Sequence, residues 1–225
     1  MAVTFKKNPG DIIFSSITAV ASCTVIIFIV GILFVLIKES SLAIEKFGVI
    51  QFLTSTEWNP VKESFGALTS IYGTVVTTVL SLLMAIPVAL GIAIFITEIS
   101  PNCLKGPVGI AIELLAAIPS IIYGMWGLFT LSPIMSNHIE PFLKKATAGI
   151  PLLGALFQGT PMGIDILTAS IILSIMIIPF TASIARDAFN LTPAVVKESA
   201  YALGATKWEV VKNIVIPYSK IGVFG

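Results

Sequence analysis

Four uncharged runs organise the chain: residues 12–37, 64–97, 114–139 and 166–185. Each meets the roughly 20 apolar residues needed to cross a hydrocarbon core. The pattern predicts transmembrane helices over 12–37, 70–96, 106–131 and 165–185, hence an all-α polytopic membrane protein. Between them lie a polar segment, 38–65, a short loop, 100–105, and a mixed segment, 132–164. The last carries Pro133, Pro141, Pro151 and Pro161, the single histidine His138, and Lys144-Lys145. From Arg186 to Pro217 the chain turns amphipathic and polar. A new apolar stretch then opens at Ile221, and the sequence given stops at the start of an expected fifth span.

Composition strengthens this reading. Of 225 residues 56% are hydrophobic and 11% charged, with mean hydropathy +1.00. A soluble domain carries about 25% charged residues. A net charge of +1 offers nothing to nucleic acid. Cys23 and Cys103 fall on different elements without metal-ligand spacing and read as packing residues. Lys6-Lys7 followed by an apolar run to Cys23 resembles a secretory leader, but the run continues to Ile37, so an uncleaved helix is expected. The bias of Lys and Arg predicts a cytoplasmic N-terminus. Lys6, Lys7, Lys105, Arg186, Lys197, Lys207, Lys212 and Lys220 then lie inside, outnumbering Lys38, Lys46, Lys62, Lys144 and Lys145 outside. Trp58, Tyr72, Tyr123 and Trp126 fall toward the outer interface.

Inside the predicted spans, Pro87, Pro119 and Pro179 are each expected to kink a helix. Small residues recur in spans two and three, among them Ala85, Ala89, Gly109 and Gly127, and permit close helix contact. Glu113 is the one charge well inside a span. Two readings stay open for it: a structural ion pair, or an intramembrane role in the path or its gating. Asp165 reads as an interfacial residue opening span four, and His138 as a surface histidine.

The polar unit has strong local signals. Thr192-Pro193 predicts a helix start, with threonine as cap and proline in the first turn. Gly204 suits a left-handed C-terminal cap. Thr206-Lys-Trp-Glu209 has the form of a capping box, so a second helix follows at once. It is expected to carry Trp208, Val211 and Ile214 on one apolar side and to end at Pro217. Two short helices at an angle make a knob. Ala200, Ala202 and Ala205 let it enter a cleft, and Lys197 and Glu198 offer ion pairs to a partner.

The segment Glu198-Ser-Ala-Tyr-Ala-Leu-Gly204 with Ile214-Val-Ile-Pro217 resembles the cytoplasmic "EAA" loop of ABC importer permeases, Ser199 replacing the first alanine and Ile216 the usual leucine. Two further phrases resemble the phosphate-specific permeases of the PstC type. One is Gly73-Thr-Val-Val-Thr-Thr with Ala85-Ile-Pro-Val-Ala-Leu-Gly through Glu98. The other, more specific, is Glu113-Leu-Leu-Ala-Ala-Ile-Pro-Ser-Ile-Ile-Tyr-Gly-Met-Trp-Gly-Leu-Phe129.

The resemblance implies a type I ABC importer transmembrane domain with four of six spans present. It implies an N-terminal helix and periplasmic segment over 1–65 and a permease domain over 66–225, with a coupling loop at 186–217. The implied ATPase-coupling residues are Lys197, Glu198, Ser199, Ala200, Gly204, Ala205, Ile214 and Pro217. A Gly-rich segment with an Arg and a Glu, thought to lie along the phosphate path, would follow Gly225. The implied setting is the bacterial inner membrane. The implied partners are a second permease of the PstA type, a PstB-type ATPase dimer, a periplasmic phosphate-binding protein and membrane lipid. The chain is expected to catalyse nothing and to hold no cofactor, since ATP and Mg belong to the ATPase. An importer of molybdate or sulfate, or a non-transporting fragment that only binds its partners, are the alternative readings. A channel or secondary transporter would not need the 198–217 unit.

Overall fold

A computed structural model describes residues 9–150, 154, 157 and 159–224; Lys6, Lys7, Pro151 and Gly225 lie outside the described residues. The described chain is almost wholly helical, in two compact units, 1–71 and 72–225.

In the first unit, helix α1 (Pro9–Phe47) runs for 39 residues and buries none of them. At 1.5 Å per residue it is about 58 Å long, well beyond a hydrocarbon core of about 30 Å. The helix therefore continues through the first ten residues of the polar segment, 38–65. Lys38, Glu39, Leu42, Ala43, Glu45 and Lys46 are good helix formers, and polarity alone does not stop a helix. Gly48, at φ 72°, breaks it before α2 (Val49–Thr54). A two-stranded hairpin follows, β1 (Trp58–Asn59) against β2 (Ser64–Phe65), with Trp58 opposite Phe65. Asn59 makes its turn, Oδ1 accepting from the backbone N–H of Val61 and Lys62. Lys46 pairs with Glu63 at 2.5 Å and holds that exposed carboxylate below its usual pKa. The ring of Phe47 meets Phe52 and Phe65.

Helix α3 (Leu68–Ile99) is the second predicted span, its last five residues, Phe95–Ile99, wound as a π turn. Helix α4 (Asn102–Ala116) starts inside the segment read as a loop, with Cys103 in its first turn. The third predicted span is not one kinked helix. It breaks at 117–119 and bends by 85° into α5 (Ser120–Thr147). Pro119 is the cap of the new helix, at φ −56° and ψ 135°, rather than a residue inside the old one. Proline disfavours the helical region for the residue before it and frees the carbonyl four residues back, here Leu115. That carbonyl accepts from the Ile118 N–H at 3.2 Å and from the Tyr123 hydroxyl at 2.9 Å, so it has partners inside the protein as an apolar medium requires. Helix α5 then runs on to Thr147 through much of the segment read as mixed. The described part of the chain thus holds three unbroken helices long and apolar enough to span a membrane, or four with the bent pair.

Among the described residues, four π turns share one setting. Phe95–Ile99, Gly127–Leu131, Met135–Ile139 and Val211–Val215 each end two residues before a proline: Pro101, Pro133, Pro141 and Pro217. A proline ring collides with the carbonyl four residues back in an α-helix. Widening the preceding turn moves that carbonyl away, so the helix bends or ends without a clash.

Helix α6 (Ile166–Asn190) is the centre of the second unit, packed on α4, α5 and the end of α3. Asp165 opens it as expected, its Oδ1 accepting from the Thr168 N–H at 2.7 Å. Small residues set the approach of these helices: Ala85, Ala89 and Ala93 of α3 and Ala182 and Ala185 of α6 are buried. Ser81, Ser170 and Ser174 are buried too, their hydroxyls bonded back to their own helices at 2.6–2.9 Å. His138 is exposed, on α5 rather than in a loop.

Candidate functional site

Helix α7 (Ala194–Ala202) and helix α8 (207–224) form the knob. The start of α7 lies one residue later than its composition suggests. Pro193 is the cap, extended at ψ 135°, and Thr192 precedes it, buried with its Oγ1 lacking a hydrogen-bond partner. At the other end Gly204 has φ 87°, its N–H donates to the Tyr201 carbonyl, and the Ala205 N–H reaches back to Ala200 at 3.1 Å. These paired bonds make the Schellman turn that the glycine predicts.

Thr206 and Glu209 close both halves of the capping box. Hydrogen bonds from the Thr206 backbone N–H and then its hydroxyl hold the Glu209 carboxyl below its usual range. Because the folded-state pKa is the lower one, this contribution is complete above the unfolded carboxylate pKa. It disappears as pH falls through the folded value. Thr206→Ala is expected to lower stability by about 1 kcal/mol and to flatten the loss of stability on acidification that the parent protein shows. Unfolding in detergent, followed across that pH range, checks both.

Pro217 does not end the second helix. The π turn Val211–Val215 absorbs it, and α8 continues to Phe224. The buried side matches the expected one at Val211 and Ile214 but not at Trp208. Val210, Val211, Val215 and Ser219 point inward, whereas Trp208 is 64% exposed. Residues 211, 215, 219 and 223 follow a four-residue step. An α-helix drifts by about 40° per such step, and the wider turn offsets part of that drift.

The knob has an inner and an outer face. Ala200, Ala205 and Ile214 pack against a buried cluster of Ala93, Ala185, Phe189, Val210 and Val215, which joins the knob to α3 and α6. Lys197 also points inward, its Nζ 2.6 Å from Glu98 Oε1 at the end of α3, with the Glu98 side chain 7% exposed. Outward lie Glu198, Ser199, Val195, Leu203 and Trp208. Ser199 Oγ is bonded to the Val195 carbonyl, while Glu198 has no intrachain ion pair or hydrogen bond among the described residues. An open cavity of about 480 Å³ runs beside them, lined by residues 190–194, Lys197 and Glu198.

A second polar point sits nearby. Glu113 of α4 pairs with Arg186 of α6 at 2.6 Å, and Arg186 also contacts Asp187. The guanidinium lies over Gly109, where a Cβ would come 2.6 Å from Arg186 Nη1, so the arginine tip would have to shift to admit a side chain there. Lys105 caps the end of α3, donating to the Thr97 carbonyl at 2.8 Å. Sequence spacing names Glu113 and Lys197, but neither Arg186 nor Glu98 as their counter-charges, because each pair joins segments far apart in the chain. No group of three or more metal-ligating side chains occurs among the described residues. Cys23 and Cys103 are free and exposed.

No protein-family model and no solved structure matches the chain. Curated relatives do. The chain is 51% identical over 216 residues to the phosphate transport system permease protein PstC of Xylella fastidiosa, covering 96% of this chain and 66% of that protein. It is 49% identical over 215 residues to PstC of Mesorhizobium japonicum, covering 96% and 65%. For PstC of Haemophilus influenzae the identity is 47% over 221 residues, 98% of this chain and 70% of the relative. The chain spans about two thirds of the length of these relatives, each named as a permease. Identity near one half along almost the whole chain places it in the family of PstC phosphate transport system permease proteins.

Proposed function

We propose that this chain forms the membrane-embedded part of a permease subunit of an ATP-driven phosphate importer. Its setting is the bacterial inner membrane with the N-terminus cytoplasmic. The permease domain is 66–225, preceded by the N-terminal helix and a periplasmic segment. Its partners are a second permease subunit of the PstA type, a PstB-type ATPase dimer that binds ATP and Mg, and a periplasmic phosphate-binding protein. The chain itself holds no cofactor.

The observation that carries this reading is the knob of α7 and α8. Its base is fastened to two membrane helices while Glu198, Ser199, Leu203 and Trp208 are presented outward. A surface this apolar, with one unpaired carboxylate, suits a cleft on another protein. Lys197, Glu198, Ser199, Ala200, Gly204, Ala205, Ile214 and Pro217 act together as the coupling unit. The outward residues meet the ATPase, and the alanines, Ile214 and Pro217 hold the shape. Glu113, paired with Arg186, fixes α4 to α6 where alternating access must bend the bundle.

Labelled-phosphate uptake in cells lacking their own PstC, complemented with the permease carrying this sequence and its partner subunits, tests the proposal. Uptake that competes with unlabelled phosphate but not with molybdate or sulfate is expected. Uptake of another oxyanion in its place overturns the substrate, and no uptake by a correctly inserted, partner-bound permease overturns the transport role.

A further inference from the structure

The last turn of α3 is gripped from two sides. Lys105, in the first turns of α4, donates to the Thr97 carbonyl at 2.8 Å. Lys197, in the middle of α7, pairs with Glu98 at 2.6 Å, and the two side chains are only 19% and 7% exposed. A third tie, Glu113 to Arg186, fastens α4 to α6. These three ties join α7, α3, α4 and α6 in a closed ring, since α7 follows α6 directly in the chain. Within it the Lys197–Glu98 pair is the only ion pair among the described residues that links the knob to a membrane helix.

Lys197 and Glu198 are neighbours in sequence and point opposite ways, the first into the protein and the second out of it. A largely buried pair is costly to separate, because either charge left alone in a low-dielectric setting loses both water and partner. The pair is therefore a stiff link. It stands where α3 ends in a π turn held by the Ser100 N–H bond to Phe95 at 2.7 Å.

We propose that Lys197 is a positioning residue. It does not contact the ATPase but carries the movement of the knob to α3 through Glu98, so that the knob and α3 move as one body. This inference rests on the coupling reading above. Glu198 receives the ATPase and Lys197 passes the displacement on. Breaking the link leaves the ATPase bound and active but uncouples it from the path.

The test uses the assembled transporter in proteoliposomes with its ATPase, second permease and binding protein. Glu98→Gln is expected to retain the ATPase and its hydrolysis while phosphate moved per ATP falls about tenfold, the scale of an ordinary coupling free energy. The swapped pair Glu98→Lys with Lys197→Glu is expected to restore the ratio. An unchanged ratio in Glu98→Gln overturns the link. So does loss of the ATPase in Lys197→Met that Glu98→Gln does not share, since Lys197 would then be an ATPase contact.

A second experiment does not depend on the folding of those variants. Glu98→Cys with Lys197→Cys, in a background with Cys23 and Cys103 replaced by serine, is bridged by a short thiol cross-linker. Before bridging the pair is expected to be uncoupled like Glu98→Gln, and bridging is expected to raise phosphate moved per ATP, because the cross-link replaces the ion pair and the two residues then travel together. A ratio that does not rise on bridging, or transport that stops on bridging and returns on cleavage, overturns the proposal. Glu198→Lys in parallel keeps the two readings apart. If it keeps both ATPase and uptake, the coupling reading fails, whereas a coupled Glu98→Gln beside an uncoupled Glu198→Lys removes the link alone.

Discussion

Glu198→Lys is expected to reduce phosphate uptake to background, on the order of 100-fold, the effect of losing 2–5 kcal/mol at a charged contact. The permease should still insert and still bind its second permease subunit. Glu198 is exposed and has no partner of its own among the described residues, so its reversal leaves the fold of this chain untouched. Any loss must therefore arise at a surface that meets another molecule. Co-purification of the ATPase, measured with uptake, checks this. A variant that retains the ATPase and transports normally would show that the outer face of α7 is ordinary solvated surface. Gly204→Asp reaches the same end by another route. Space at Gly204 is open, but φ is 87°, a conformation that glycine adopts freely and side chains built on Cβ rarely do. The turn, and with it the angle between α7 and α8, is what that variant loses.

Phe189→Ala should have the largest effect on stability, about 3–5 kcal/mol, because it empties the biggest fully buried side chain among the described residues. Phe189 lies near the end of α6, and Ala93, Ala185, Val210 and Val215 close around it. Its removal leaves a void between the knob and the two helices that carry it. The expected result is a lower unfolding temperature in detergent and faster proteolysis within 194–217, while α1 remains protected. Phe189→Leu keeps most of the volume and should cost less than about 1.5 kcal/mol. Equal losses in the two variants would mean that the ring is not packed as described.

Much of this architecture can be read from local pattern. Uncharged runs mark three of the membrane helices, and residue types alone mark Asp165, Gly204 and the Thr206–Glu209 box, because caps are made within three or four residues. Four things resist that reading. The break at Pro119 is hidden because hydrophobicity runs through it without pause, and a proline that kinks a helix looks the same as one that starts a new helix. Pro217 reads as a terminator, but the widened turn before it lets α8 continue. The counter-charges of Glu113 and Lys197 lie on other helices, where no spacing rule reaches. Glu140, buried with Oε1 unpartnered, gave no signal in a segment of mixed polarity.

The corner between α4 and α5 also decides the parity of the chain. If the bent pair counts as one crossing, the second unit makes three, and the start of α3 and the knob face opposite compartments. If it turns back, the second unit makes two, and both ends face the same compartment. Lys105 follows α3, further basic residues run from Arg186 to Lys220, and membrane insertion gathers such residues on one side. A crossing made with an 85° elbow puts these two groups on one side. A right-angled joint at Pro119 thus sets whether the loop before α4 and the knob share a compartment.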